Sequence, residues 1–112
     1  MTTYRWITAL VLLTLVSGLS TACVSRTPGE KLYRRHCAEC HGIDGAGHTV
    51  QYMGHPEANL IDDEWVHGGS PTAIIGVLQG GSVGDHPDYS ELSSAEMRQI
   101  VDHLRVLRGE AR

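Results

Sequence analysis

The chain has 112 residues, which is too short for more than one ordinary domain. It contains no Phe, so a core built from side chains alone is small. The formal net charge of −4 at pH 7 argues against nucleic acid as a partner.

The first 22 residues have the pattern of an export signal. Arg5 lies in a short n-region, and the apolar stretch that follows is too short and too interrupted for a membrane span. Small residues precede Cys23, and this segment resembles a bacterial lipobox, in which the cysteine is diacylated. Plain cleavage by signal peptidase and an uncleaved anchor are the alternatives. The pattern predicts an exported protein, lipid-anchored at Cys23 on the periplasmic side of a bacterial membrane. Val24, in place of an Asp after the cysteine, resembles lipoproteins that are sent to the outer membrane, so this membrane is favoured.

A linker over residues 23–28 leads into the first predicted helix. Thr27 stands at the N-cap, Pro28 at the first helical position and Glu30 two residues further on, a capping-box pattern. The helix should run to about residue 38. A glycine inside a helix lowers its propensity, and its usual compensation is the close approach of another helix. We therefore expect Gly29 and Tyr33 to meet the C-terminal helix.

The central motif is Cys37-Ala38-Glu39-Cys40-His41. Two thiols at this spacing can each bond one vinyl group of a haem, and the histidine that follows can bind the iron. A thioredoxin-like redox pair would require a βαβ setting, and a zinc site would require further Cys or His pairs. No Cys follows Cys40. The motif predicts one covalent haem c, held by Cys37 and Cys40, with His41 as the proximal iron ligand.

The rest of the chain alternates loops and helices. The glycine-rich loop 42–59 should pack against the haem edge. A short helix over 62–67 would carry Trp65, which could cover the haem. A further helix begins after Ser70 and ends at Gly80. After a second glycine-rich loop, a capping box at Ser93-Ser94-Ala95-Glu96 opens the last helix, which ends near Arg108. No strand-like alternation occurs, so the fold should be all-α.

Residues 29–108 resemble a small bacterial class I cytochrome c. The resemblance is carried by the motifs Gly29-x-x-Leu32-Tyr33, Cys37-Ala38-Glu39-Cys40-His41-Gly42, Pro56 with Asn59-Leu60, and Ser93-Ser94-Ala95-Glu96. It implies a cytochrome c domain of three or four helices around one haem, with crossed N- and C-terminal helices and a tail over 109–112. It also implies that the carbonyl of Pro56 orients His41 through the ring N–H, as second-shell groups commonly do.

The sixth iron ligand departs from the family pattern. The family usually supplies a Met from the loop before the last helix, whereas this chain has His86-Pro87 there. We predict His86 as the distal ligand of a bis-His haem, with Met53 as the alternative and another His or an open site as further possibilities. Met97 lies on the apolar stripe of the last helix, where core packing is expected.

The resemblance implies an electron-transfer protein and not an enzyme: a monohaem c-type cytochrome that carries single electrons between periplasmic or membrane redox partners. The alternatives are a haem-based ligand-binding or sensor module and a fixed electron-transfer subunit of a membrane oxidoreductase complex. Arginines cluster on the two terminal helices, which leaves the loop side acidic and favours a partner with a basic docking surface. These charged residues can equally be ordinary solvent-exposed residues that bind no partner.

Overall fold

A computed structural model of the chain describes residues 24–81, 84 and 86–110. The predicted signal peptide and the lipidation at Cys23 lie outside these residues and stay predictions. All regular structure within the described residues is helical, which confirms the all-α fold class. None of these helices is long and apolar enough to cross a membrane.

Four α-helices form the frame of the described residues. They are α1 (Pro28–His36), α2 (Ala38–His41), α3 (Pro71–Gly76) and α4 (Ser94–Leu107). A 3-10 turn over Pro56–Ala58 interrupts the first long loop. A turn over Val77–Gly81 continues α3 and kinks at Gly80, whose φ of +75° is not helical. Predicted caps fix the long helices: Thr27 Oγ1 accepts the Glu30 N–H at 3.2 Å, and Ser93 and Glu96 form the capping box.

Helices α1 and α4 pack at very close range. A Cβ added to Gly29 would lie only 2.1 Å from the backbone oxygen of Gln99, so only a glycine allows this approach. Four residues along α1, the ring of Tyr33 lies 5.1 Å from the ring of His103. The predicted contact of Gly29 and Tyr33 with the C-terminal helix is confirmed.

The core gathers on the inner face of α4. The buried cluster comprises Tyr33, Ile74, Leu78, Met97, Ile100, Val101 and Leu104. Met97 is only 2% exposed, as its position on the apolar stripe predicts. The cluster joins α1, α3 and α4 and leaves one side of the domain to be formed by loops.

The predicted helix over 62–67 is wrong. The segment instead forms bends, because the Asp62 carboxylate accepts the Glu64 N–H at 3.1 Å and closes a local turn. The indole N–H of Trp65 donates to the Asp62 carbonyl at 3.0 Å, which fixes the ring over this turn. The guanidinium of Arg108 lies 5.1 Å from the centre of the same ring and ties the turn to the end of α4.

Candidate cofactor site

A cavity of about 610 Å³ opens between the helices and the loops. This volume falls within the range of about 300–1,000 Å³ typical of ligand and cofactor sites. Its walls include all four side chains that the sequence assigns to the haem: Cys37, Cys40, His41 and His86. The fold therefore brings together residues that are up to 49 positions apart in the chain.

The two thiols lie where α1 passes into α2. The carbonyl of Cys37 accepts the N–H groups of Cys40 at 3.2 Å and His41 at 3.0 Å, which holds the motif in one helical turn. Both cysteines are half-buried and free. Burial, and then the neighbouring Cys40, raise the pKa of the Cys37 thiol to about 12. In the unmodified chain this thiol is therefore neutral at pH 7.

His41 is held in one tautomer. Its Nδ1–H donates to the carbonyl of Ala58 at 2.7 Å, which leaves Nε2 as the nitrogen that can bind a metal. Burial lowers the pKa of the ring, the Ala58 carbonyl works in the opposite direction, and nearby His86 lowers it further. A neutral imidazole is the form that ligates iron.

The prediction that the Pro56 carbonyl orients His41 is wrong in this structure. Pro56 begins the 3-10 turn, and its carbonyl accepts the N–H of Asn59 at 3.1 Å instead. Ala58 is the last residue of the turn, and its carbonyl points toward His41. Gly47 backs Ala58 so closely that an added Cβ would lie 2.8 Å from the Ala58 carbonyl carbon. Gly47 also has a φ of +72°, which favours glycine.

The distal candidate, His86, lies opposite the motif in the loop before α4. Its ring centre is 6.2 Å from that of His41, and the two ring planes are inclined by 34°. Its Nδ1–H donates to the Pro87 carbonyl at 2.9 Å, so Nε2 is again the nitrogen left for a metal.

The separation of these rings fits a pair of ligands to one metal ion. Imidazole nitrogens bind a metal such as zinc at about 2.0–2.1 Å, and each ring centre lies roughly 1 Å behind its nitrogen. Two imidazoles on opposite sides of one ion therefore have ring centres on the order of 6 Å apart. The observed 6.2 Å matches this spacing.

The other residues that the sequence offers near the haem differ in their position. Met53 is 71% exposed and does not line the cavity. Trp65, His55 and His67 do line it, and the last two are exposed at its mouth. Sequence reasoning missed Ala58, because its contribution is a backbone carbonyl and no side chain signals it. It also missed Tyr89, whose ring packs on His86.

Together, the all-α fold and the paired thiols and imidazoles of the cavity define a c-type cytochrome domain, whose cofactor is one covalently attached haem c. A family profile of cytochrome c oxidase, cbb3-type, subunit III matches residues 25–104. The chain belongs to this family.

Curated relatives agree with the family match. The chain is 42% identical over 83 residues to the cbb3-type cytochrome c oxidase subunit CcoP of Rubrivivax gelatinosus, an alignment covering 72% of the chain and 25% of the relative. It is 31% identical to CcoP of Rhodobacter capsulatus, with 84% of the chain and 33% of the relative covered. It is 34% identical to the corresponding subunit FixP of Bradyrhizobium diazoefficiens, with 84% and 32% covered. The chain thus spans a quarter to a third of these relatives. No solved structure matches it.

The predicted location is wrong. We expected an exported protein, lipid-anchored on the periplasmic side of a bacterial membrane and with the outer membrane favoured. The relatives that match are named as subunits of a cbb3-type cytochrome c oxidase, and not as outer-membrane lipoproteins. These names contradict the predicted placement as an outer-membrane lipoprotein, and they give no support to a lipid anchor at Cys23.

Proposed function

We propose that the chain is a single-haem electron-transfer module with two protein ligands to the iron. In this proposal Cys37 and Cys40 hold the haem through thioether bonds, His41 is the proximal ligand and His86 the distal one. The observation that carries it is the 6.2 Å separation of the two imidazoles in the cavity that both thiols line. The haem supplies one-electron exchange between ferrous and ferric iron.

The chain's own residues favour electron transfer over ligand binding. Two imidazoles, those of His41 and His86, would hold the iron, and each has its Nδ1–H engaged by a backbone carbonyl, which orients the ring. Leu78, Ile100 and Leu104 are buried apolar residues that line the cavity. They keep water away from its inner side. A sensor would require a distal position that an external ligand can readily enter.

We also propose that the module works with a membrane oxidoreductase complex. The support is that the relatives are named as subunits of such a complex, whereas a freely diffusing carrier has no specific support. Purification of the full chain from its native membranes decides between the two. Recovery of stoichiometric partner subunits supports the complex, and recovery of the cytochrome alone contradicts it.

Spectroscopy of the wild-type protein tests the ligand set. We expect the near-infrared charge-transfer band of the ferric protein to have the bis-His signature, and we expect the ferrous protein not to bind carbon monoxide under native conditions. Cys37→Ala with Cys40→Ala should abolish covalent haem retention in a denaturing gel. A His/Met band would contradict the assignment of His86, and rapid carbon monoxide binding would favour the sensor.

The charge of the chain is strongly divided. No Lys or Arg occurs between residues 36 and 97, the segment that forms the cavity loops. The acidic residues of this segment are Glu39, Asp44, Glu57, Asp62, Asp63, Glu64, Asp85, Asp88, Glu91 and Glu96. Glu57 and Glu64 stand at the cavity mouth and are exposed. We propose that this side meets a redox partner with a basic surface.

This division predicts how electron-transfer rates depend on salt. With a cationic cobalt complex as reagent the rate should fall as ionic strength rises, and with anionic hexacyanoferrate it should rise. Glu57→Gln with Glu64→Gln should weaken both trends in stopped-flow measurements. The matched control, Asp102→Asn with Glu110→Gln, removes the same charge outside this segment and away from the cavity lining. Equal effects of the two pairs would show that only net charge matters.

A further inference from the structure

Tyr89 lies three residues after His86 and contacts two histidine rings at once. Its ring centre is 6.1 Å from that of His86 and 5.7 Å from that of His36, in both cases with planes inclined by 74°. Such edge-to-face packing is favourable and restricts the rotation of the partner ring. The Tyr89 ring thus packs against one side of the His86 imidazole.

The polar groups of Tyr89 anchor it to two helical elements. The hydroxyl donates to the carbonyl of His36 at 2.7 Å. His36 is the residue directly before the first haem-binding cysteine. The backbone N–H donates to the carbonyl of Leu78 at 2.9 Å, in the turn that continues α3. Leu78 itself is 5% exposed and belongs to the core. Tyr89 therefore joins the distal loop both to the haem motif and to the core.

The described part of the loop around His86 has few other hydrogen bonds. Among the described loop residues 84 and 86–88, no hydrogen bond reaches another element of the fold. The His86 ring bonds only to its neighbour Pro87, and the Asp88 carboxylate accepts the N–H of Ser90. Tyr89 is thus the first residue after His86 that fixes the position of the loop.

We propose that Tyr89 is a positioning residue that holds His86 at the iron and sets how often this ligand dissociates. The inference rests on the proposed function, in which His86 is the distal ligand. The hydroxyl bond to His36 and the ring contact keep the loop over the motif. Without the hydroxyl, the carbonyl of His36 loses its partner and the loop is released more easily. The ligand should then leave the iron more often, with the haem still covalently attached.

Cyanide binding to the ferric holoprotein measures this directly. At saturating cyanide, the rate of the spectral change is limited by the departure of the distal ligand. We expect Tyr89→Phe, which keeps the ring and removes only the hydroxyl, to raise this limiting rate about tenfold. The covalent haem and the bis-His spectrum of the resting protein should persist.

Tyr33 provides a matched control. Its hydroxyl also donates to a backbone carbonyl next to the motif, that of Gly42 at 2.8 Å, but its ring packs on His103 and not on His86. Tyr33→Phe should lower the melting temperature and leave the limiting cyanide rate unchanged. A rate that rises in both variants in proportion to their loss of stability would overturn the positioning role, and so would an unchanged rate in Tyr89→Phe.

Failure of the assignment of His86 as distal ligand can be distinguished from failure of the role of Tyr89. Removal of the distal ligand by His86→Ala should let cyanide bind without a limiting rate. If the wild-type protein already behaves in this way, His86 is not the distal ligand and both proposals fall. If only Tyr89→Phe gives the unexpected result, the assignment of His86 stands and the role of Tyr89 is overturned.

Discussion

Replacing His86 with Met raises the reduction potential of the holoprotein, by on the order of 0.1 V or more within the roughly 0.8 V that axial ligands span. The physical reason is that a thioether donates less electron density than an imidazole and so stabilises the ferric state less. The near-infrared charge-transfer band of the ferric protein should change from the bis-His to the His/Met signature. A spectroelectrochemical titration of both proteins measures the shift.

Two further variants make the test specific. His67 also lines the cavity but is exposed at its mouth, so His67→Met introduces the same side chain without reaching the iron and should leave potential and spectrum unchanged. Met53→Leu tests the rival ligand. If the wild-type band is of the His/Met type and disappears in Met53→Leu, the loop around the exposed Met53 rearranges to bind the iron and the assignment of His86 is wrong.

The haem-binding residues could be recognised from sequence because their chemistry is local. Two thiols and an imidazole within five residues define a specific attachment site, whatever the rest of the fold. The capped helices α1 and α4 were predictable for a similar reason, since their caps lie next to the residues they cap. The contact of Gly29 with α4 followed from a rule about glycine in helices.

The parts that could not be predicted depend on backbone geometry. Pro56 and Ala58 are two residues apart, and only the path of the 3-10 turn decides which carbonyl meets His41. The composition of the segment 62–67 is compatible with a short helix. The Asp62 carboxylate instead accepts the backbone N–H of Glu64, which closes a turn. The hydroxyl bond from Tyr89 to His36 spans 53 positions in the chain, which no local pattern reveals.

The second large effect concerns the crossing of α1 and α4. Gly29→Ala should lower the free energy of unfolding by about 1–3 kcal/mol or more, because its Cβ would meet the Gln99 oxygen at 2.1 Å and neither backbone can yield without separating the helices. For a domain of this size each kcal/mol lowers the melting temperature by about 4–8 °C. Thermal denaturation of the holoprotein, followed by circular dichroism, measures the loss.

Gly76→Ala is the matched control, because Gly76 lies in α3 and nothing lies within 4 Å of an added Cβ. There the substitution should be neutral or stabilising by up to about 1 kcal/mol, as alanine favours a helix. Equal melting temperatures for Gly29→Ala and wild type would contradict the close crossing. Since α1 ends directly before the haem-binding turn, separation of the helices should also loosen the motif from the core. A Gly29→Ala protein that loses stability but keeps its wild-type charge-transfer band would show that the haem and its two ligands hold the site together independently of the helix crossing.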